Sequence, residues 1–103
     1  MKPVLVGPQA AIELSDTAVA YERTCPGAGI AFLSDIRETS RGLARVPQAA
    51  AHARGSISSS AAHRFPFRIL HRERKGRIEV LAILPTRIPD SQPFQPRRFR
   101  GLE

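Results

Sequence analysis

Residues 64–84, RFPFRILHRERKGRIEVLAIL, contain the pattern that decides the fold. In the first part of this segment, apolar residues alternate with arginines, which predicts a strand with one buried face and one basic face. The residues expected to point inward are Phe65, Phe67, Ile69 and His71. Those expected to point outward are Arg64, Arg68 and Arg72.

A turn is predicted at Arg74-Lys75-Gly76, because glycine readily adopts the positive φ angles of a tight hairpin. The strand after it is apolar on both faces. One face is expected to carry Ile78, Val80, Ala82 and Leu84, and the other Glu79, Leu81 and Ile83. Strands that are covered on both faces lie inside a sheet, so this pattern predicts a central strand that ends at Pro85.

The N-terminal half predicts a short strand at Val4–Val6 and a first amphipathic helix over residues 9–23, which Pro8 precedes. The apolar stripe of this helix is expected at Ala11, Leu14, Ala18 and Tyr21, widened by Ile12 and Val19. Its polar face is expected to carry Glu13, Asp16, Glu22 and Arg23.

A second amphipathic helix is predicted after a break at residues 24–27, and it should end before Pro47. Its apolar stripe is expected at Phe32, Leu33, Ile36, Thr39, Leu43 and Val46, and its outer side at Asp35, Arg37, Glu38, Arg41 and Arg45. Helices joined by so short a break pack as an antiparallel hairpin. Neither helix can shield its own apolar stripe from solvent. We therefore expect both stripes to pack on the inward side chains of residues 65–84.

These elements predict an α+β fold, in which an N-terminal short strand and an antiparallel helical hairpin pack on a small, mainly antiparallel β-sheet. Residues 48–55 are expected to form a loop and residues 56–62 a weak strand. We expect residues 1–90 to form a single domain, because a chain of 103 residues has the usual length of one domain. Residues 91–103 are expected to form a flexible Pro/Arg-rich tail.

The positive charge is concentrated in the second half of the chain. Residues 1–51 carry five basic and five acidic side chains, whereas residues 52–103 carry eleven basic and four acidic ones, so the second half carries the whole net charge of +7. Such a surface favours an acidic protein segment or another polyanion as partner. The alternative is a basic surface that serves only solubility.

Cysteine and histidine give no sign of a metal or cofactor. Cys25 is the only cysteine, which excludes an internal disulfide, and His52, His63 and His71 are too scattered for a metal site. No apolar run approaches the roughly 20 residues of a membrane span, and the apolar run at the N-terminus is too short for a signal peptide. We therefore expect a cytoplasmic protein that uses no cofactor and no membrane.

Three local strings, in this order, are similar to those of the RelE/ParE superfamily of type II toxin–antitoxin toxins. They are Pro26-Gly27-Ala28-Gly29 followed by Phe32-Leu33-Ser34-Asp35-Ile36-Arg37, then residues 64–72, then residues 77–84. Arg87 stands where family members carry an arginine soon after the last strand. The resemblance covers residues 4 to 90, and Pro85 and Ile88 replace a histidine and a second arginine that many members have.

The resemblance implies a toxin held inactive by a cognate antitoxin whose acidic or amphipathic C-terminal segment wraps its surface. We favour the ParE-like class, whose members bind DNA gyrase and cut nothing themselves. The side chains expected to contact the target or the antitoxin are Arg64, Arg68, Arg72, Arg77 and Arg87.

The alternative within the family is a RelE-like endoribonuclease that cuts mRNA on the ribosome. Its catalytic residues would be Arg64, Arg68, His71 and Arg87. Arginine is a poor proton shuttle because it stays protonated, and we expect His71 and Tyr21 to be packed in the core and His63 to lie on the surface. A binding protein is therefore favoured over an enzyme.

Two further hypotheses are a decayed toxin and a small basic nucleic-acid-binding protein. The latter needs exposed aromatic side chains on which bases stack. Phe65 and Phe67 are expected to face inward, which leaves only Phe94 and Phe99 in the tail.

Overall fold

The computed structural model describes residues 2–45 and 57–86. The elements follow the chain as β1 (Val4–Val6), α1 (Pro8–Thr24), α2 (Ala28–Arg45), β2 (Ser58–Ala61), β3 (Phe67–Arg74) and β4 (Arg77–Pro85). This order of strands and helices is the predicted one. The predicted loop over residues 48–55, the predicted tail over residues 91–103, and Val46, Pro47 and Arg87 lie outside the described residues.

The four strands form one sheet in the order β1-β4-β3-β2. β3 pairs antiparallel with both β2 and β4, and β1 pairs parallel with the first part of β4. The sheet is therefore mainly antiparallel, and β4 has a neighbour on each side, as its apolar sequence predicted. The α+β fold class is confirmed.

The turn between β3 and β4 consists of two residues. Lys75 has a φ of 54° and Gly76 a φ of 74°, and Arg74 pairs with Arg77 across the turn. Two successive positive φ angles characterise the type I′ hairpin, whose twist matches that of the strands it joins. Gly76 thus has the role that the sequence predicted for it.

The predicted alternation of β4 is wrong beyond Val80, because the strand contains a bulge. Leu70 pairs with Ala82 and His71 pairs with Val80, so Leu81 has no partner on β3. An extra residue breaks the two-residue period and exchanges the faces that follow it. As a result Ile83, and not Leu84, joins Val80 in the core beneath the helices.

The first helix buries the predicted stripe at Leu14, Ala18 and Tyr21, but its first member is Ala10 and not Ala11. Ala10 and Ala18 are buried in the core, and Leu14 and Tyr21 pack against it. Ala11, which was expected inside, is exposed, and so are Ile12 and Val19. The predicted widening of the stripe by Ile12 and Val19 is therefore wrong, because both side chains face away from the sheet.

The core lies between the helical hairpin and the inner face of the sheet. Phe32 of α2 is fully buried, and the centroid of its ring lies 5.1 to 5.6 Å from those of Tyr21, Phe65 and Phe67. The Tyr21 ring also lies 5.0 Å from that of Phe65 and 6.2 Å from that of Phe67. Ile69 also belongs to this cluster. The predicted packing of both helices on the inward side chains of residues 65–84 is confirmed.

The junction of the two helices depends on Glu22 and Gly29. The Glu22 carboxylate accepts hydrogen bonds from the backbone N–H groups of Gly27 (2.8 Å) and Gly29 (3.0 Å), at the positive end of α2. Gly29 itself is buried against α1: a Cβ placed on it would lie 2.5 Å from the carbonyl oxygen of Ala18. The close contact of the helices at this point therefore requires glycine.

Replacing Gly29 by alanine is expected to destabilise the protein by about 1 to 3 kcal/mol, because the helices must move apart to admit the methyl group. Gly42 is the matched control, since a Cβ there meets no atom within 4 Å and lies in the same helix. Gly42→Ala should stabilise the protein by up to about 1 kcal/mol through helix propensity. Urea unfolding measures both, and equal midpoints for the two variants would contradict the close contact.

Candidate functional site

The candidate site is the outer face of the sheet, opposite the helices. Strand alternation and register place on this outer face the side chains of Leu5, Ser59, Ala61, Arg68, Leu70, Arg72, Arg74, Arg77, Glu79, Ala82 and Leu84. The described helices pack on the inner face. The outer face thus combines four arginines and one glutamate with several leucines.

The five predicted contact arginines have three different locations. Arg68, Arg72 and Arg77 lie on the outer face. Arg64 is exposed in the segment between β2 and β3, where its side chain makes no hydrogen bond or ion pair within the described residues. Arg87 is outside the described residues, so its predicted role stays a prediction.

Glu79 lies between two of these arginines. Its carboxylate accepts a hydrogen bond from Nε of Arg72 at 2.8 Å and from Nε and Nη2 of Arg77 at 3.3 Å. The hydrogen bond from Arg72 lowers the pKa of Glu79 most strongly; burial opposes it, and Arg77 lowers the pKa further. Glu79 therefore stays ionised and holds both guanidinium groups in place.

The lowered pKa of Glu79 makes the stability of the protein sensitive to acid. A carboxyl whose folded pKa is depressed stabilises the fold above its unfolded pKa, here near 4.5, and loses that contribution as the pH falls through the folded value. Glu79→Gln should therefore flatten the fall of unfolding free energy below about pH 4.5. The measurement is urea unfolding across this range, with exposed Glu38→Gln as control; identical slopes for wild type and Glu79→Gln would refute the ion pairs.

Arg68 is oriented by the strand at the other edge of the sheet. Its Nε donates to the hydroxyl of Ser59, and its Nη2 donates to the Ser59 carbonyl oxygen at 3.3 Å. Both residues are on the outer face, where Arg68 pairs with Ala61 of β2. The uncharged strand β2 thus supplies the hydroxyl and carbonyl oxygens that orient the Arg68 guanidinium.

Asp35 supports the segment that carries Arg64, and the sequence analysis misplaced it. It was assigned to the outer side of α2, yet it is only 1 % exposed. Its carboxylate accepts hydrogen bonds from the backbone N–H groups of His63 (3.2 Å), Arg64 (2.9 Å) and Phe65 (2.8 Å). The available signal was its position three residues after Phe32 and four before Thr39, within the buried stripe.

Glu13 was also assigned to a solvent-exposed face but is buried, with 8 % of its surface exposed. Its Oε1 accepts the backbone N–H of Ile83 at 2.7 Å. β1 pairs only with Ile78 to Val80, so this N–H lies beyond the end of β1 on the same edge of β4. Pro85, two residues further, has no N–H, and this edge of β4 therefore offers few donors to an added strand.

His71 does not join the arginines. It is on the inner face and only 3 % exposed, and its Nε2 lies 2.9 Å from the Ser60 hydroxyl. His71 and Arg68 both belong to β3, but their side chains point to opposite faces of the sheet. The packing predicted for His71 and Tyr21 is confirmed, and His63 is exposed as expected.

A groove borders the outer face at β1. We call it the β1 groove, and its lining residues are Leu5, Val6, Gly7, Pro8, Gln9, Arg72, Glu79 and Leu81. Its volume is about 510 Å³. Leu5 is 44 % exposed and Val6 48 % exposed, so two large apolar side chains of a three-residue strand border the groove.

Among residues 2–45 and 57–86, no three His, Cys, Asp or Glu side chains are grouped so that they could hold a metal ion. Cys25 is exposed and is not in a disulfide. In the same part of the chain, no helix combines the length and the hydropathy that a membrane crossing requires.

Comparison with known proteins identifies the fold. No protein-family model and no curated protein matches the sequence. Among solved structures, the chain is similar to a chain of the chromosomal ParDE TA system from P. aeruginosa, with a TM-score of 0.71 and 22 % sequence identity over 84 % of this chain and 98 % of that one. The protein is thus an α+β protein in which a helical hairpin covers one face of a sheet whose other face is basic. Its fold is ParE-like, as the resemblance to the RelE/ParE superfamily predicted.

Proposed function

We propose that the protein is the toxin of a type II toxin–antitoxin system and that it acts by binding DNA gyrase, as ParE-like toxins do, and not by cutting RNA. The observation that carries the toxin assignment is the fold shared with a ParDE chain over most of both chains. The local strings at residues 26–37, 64–72 and 77–84 support the same assignment.

The placement of His71 supports the binding mode over the endoribonuclease. RNA cleavage needs a group that takes a proton from the 2′-hydroxyl, and a histidine is the usual one. His71 is buried on the inner face, while Arg68 is on the outer face and Arg64 lies before the strand. Arginine stays protonated and cannot replace the histidine as a base.

The outer face and Arg64 are the surfaces we assign to macromolecular partners. Guanidinium groups bind carboxylates and phosphates through paired hydrogen bonds, and Arg64 and Arg68 are exposed. The antitoxin would lie across the outer face with an acidic segment, and gyrase would contact Arg64.

The test is induction of the full chain in a bacterial host, with and without co-expression of any small acidic-tailed protein that is encoded directly upstream or downstream of it. We expect growth arrest, a DNA-damage response, inhibition of purified gyrase in a supercoiling assay, and recovery when the antitoxin is co-expressed. Ribosome-dependent mRNA cuts without DNA damage would establish the RelE-like alternative. Unaffected growth would indicate a decayed toxin.

Arg64→Ala should raise the concentration for half-inhibition of gyrase about tenfold or more. An arginine at the centre of an interface is worth at least about 1.4 kcal/mol, and the guanidinium of Arg64 makes no hydrogen bond or ion pair within the described residues. Arg41→Ala is the matched control, because Arg41 is exposed on α2. Equal inhibition by both variants would remove Arg64 from the proposed contact.

A further inference from the structure

We propose that the end of the β3–β4 hairpin binds double-stranded DNA, entering the major groove and contacting the phosphates on either side of it. This end consists of residues 72–77 and is called the hairpin tip. DNA binding goes beyond the proposed function, which assigns no nucleic acid to the protein, and it does not rest on that function.

The hairpin tip extends past the neighbouring strands. β2 pairs with β3 only as far as His71, and β1 pairs with β4 only from Ile78 onward. Among the described strands, β3 and β4 therefore lie beside each other alone over residues 72–77. A two-stranded ribbon of this kind is narrow enough to enter the major groove of DNA, which is about 12 Å wide.

Two arginines of the hairpin tip are directly opposed. Arg74 pairs with Arg77 across the hairpin, and both side chains are on the outer face. Like charges at opposite positions of an antiparallel pair destabilise it. Within the described residues Arg77 has one acidic partner, Glu79, which it shares with Arg72. An anion bound beside the two opposed arginines would relieve their repulsion.

Arg74 and Lys75 are available to bind such an anion. Both are exposed, and neither side chain makes a hydrogen bond or an ion pair with any residue that the structure describes. Glu73, the acid next to them in the sequence, is paired with Lys2. The hairpin tip thus presents cations at the end of a ribbon, where an extended anion can reach them.

The composition of the hairpin tip favours the phosphates of a duplex as that anion. Among residues 2–45 and 57–86, no exposed large apolar side chain belongs to the tip, whereas a protein segment would bury apolar surface as well as charge. A second copy of the chain would bring the same cations. Single-stranded nucleic acid needs aromatic rings for stacking, and the tip has none. The backbone of a duplex needs only cations.

The shape of the groove distinguishes DNA from RNA. The major groove of an RNA duplex is deep and narrow, so a ribbon of two strands does not fit it. Contacts to phosphates carry no sequence information. We therefore expect the protein to bind DNA duplexes of any sequence and to bind an RNA duplex at least about tenfold more weakly.

The experiment measures the fluorescence anisotropy of a labelled DNA duplex with the purified full chain, between about 50 and 200 mM salt. The test variant combines Arg74→Gln with Lys75→Asn. It should bind at least about tenfold more weakly, and its slope of log affinity against log salt should be smaller by about 2, one for each lost phosphate contact. The control combines Arg23→Gln with Arg41→Gln, which removes two exposed charges from the helices and should keep the wild-type slope.

The test variant is chosen to leave the fold intact. Lys75 has a φ of 54°, and asparagine adopts positive φ angles more readily than lysine does, so Lys75→Asn suits the type I′ turn. Arg74→Gln removes one of two opposed charges. Circular dichroism and thermal unfolding of the test variant should therefore show a protein at least as stable as the wild type.

Several results would overturn the inference: a wild type that does not bind DNA, a test variant that binds as tightly as the wild type, or equal weakening in the control. Equal affinity for DNA and RNA duplexes of the same sequence would also overturn it. Gyrase and antitoxin are absent from the assay, so its outcome is independent of the toxin function, which growth arrest tests separately.

Discussion

Asp35→Ala should lower the free energy of unfolding by about 3 to 5 kcal/mol. The carboxylate is the acceptor for three successive backbone N–H groups, and each buried donor left without an acceptor costs about 1 to 3 kcal/mol. The loss stays below the sum of three such values, because His63 and Arg64 are exposed and water can reach part of the segment.

Urea unfolding of Asp35→Ala tests this value, with Glu38→Ala as control. Glu38 is exposed in the same helix, so its removal should change stability by less than about 0.5 kcal/mol. Asp35→Asn keeps one acceptor oxygen and should fall between the two. A loss of under 1 kcal/mol in Asp35→Ala would show that these hydrogen bonds do not hold the segment.

The same substitution connects the fold to the proposed function. Asp35 fixes the backbone of Arg64, the exposed arginine to which we assign gyrase contact. At a temperature where Asp35→Asn is still folded, it should therefore inhibit gyrase less than the wild type does. Full inhibition by a folded Asp35→Asn would mean that the position of Arg64 is not critical.

Phe32→Ala should destabilise the protein by about 3 to 5 kcal/mol, since it removes the centre of the aromatic cluster and leaves a cavity. The Phe32 ring lies 5.5 Å from that of Tyr21, 5.6 Å from Phe65 and 5.1 Å from Phe67, so its loss removes three ring contacts at once. These contacts join both helices to β3.

Leu33→Ala is the matched control for Phe32→Ala. Leu33 is the next residue of α2 and is exposed, so its truncation should cost less than about 1 kcal/mol. Thermal or urea unfolding measures both variants. Equal losses at the two positions would mean that Phe32 is not the centre of the core.

Much of the candidate site was predictable from alternation within one strand. Arg68 and Arg72 were placed on the outer face because arginines alternate with apolar residues, and the strand keeps its two-residue period at these positions. Glu79 was placed on one face of β4, but its position between Arg72 and Arg77 depends on the register of β3 and β4. Register follows from the turn and the bulge together, and only the turn had a clear sequence signal.

By itself, the sequence determined the order of the elements, the two-residue hairpin at Gly76, the central position of β4 and the inward aromatic residues. Each of these follows from a local period or from a glycine that the turn requires. Tertiary structure decided the burial of Asp35 and Glu13 and the exchange of faces at Leu81. The two carboxylates accept N–H groups 28 to 30 and 70 residues away, and no local pattern specifies which distant backbone will need an acceptor.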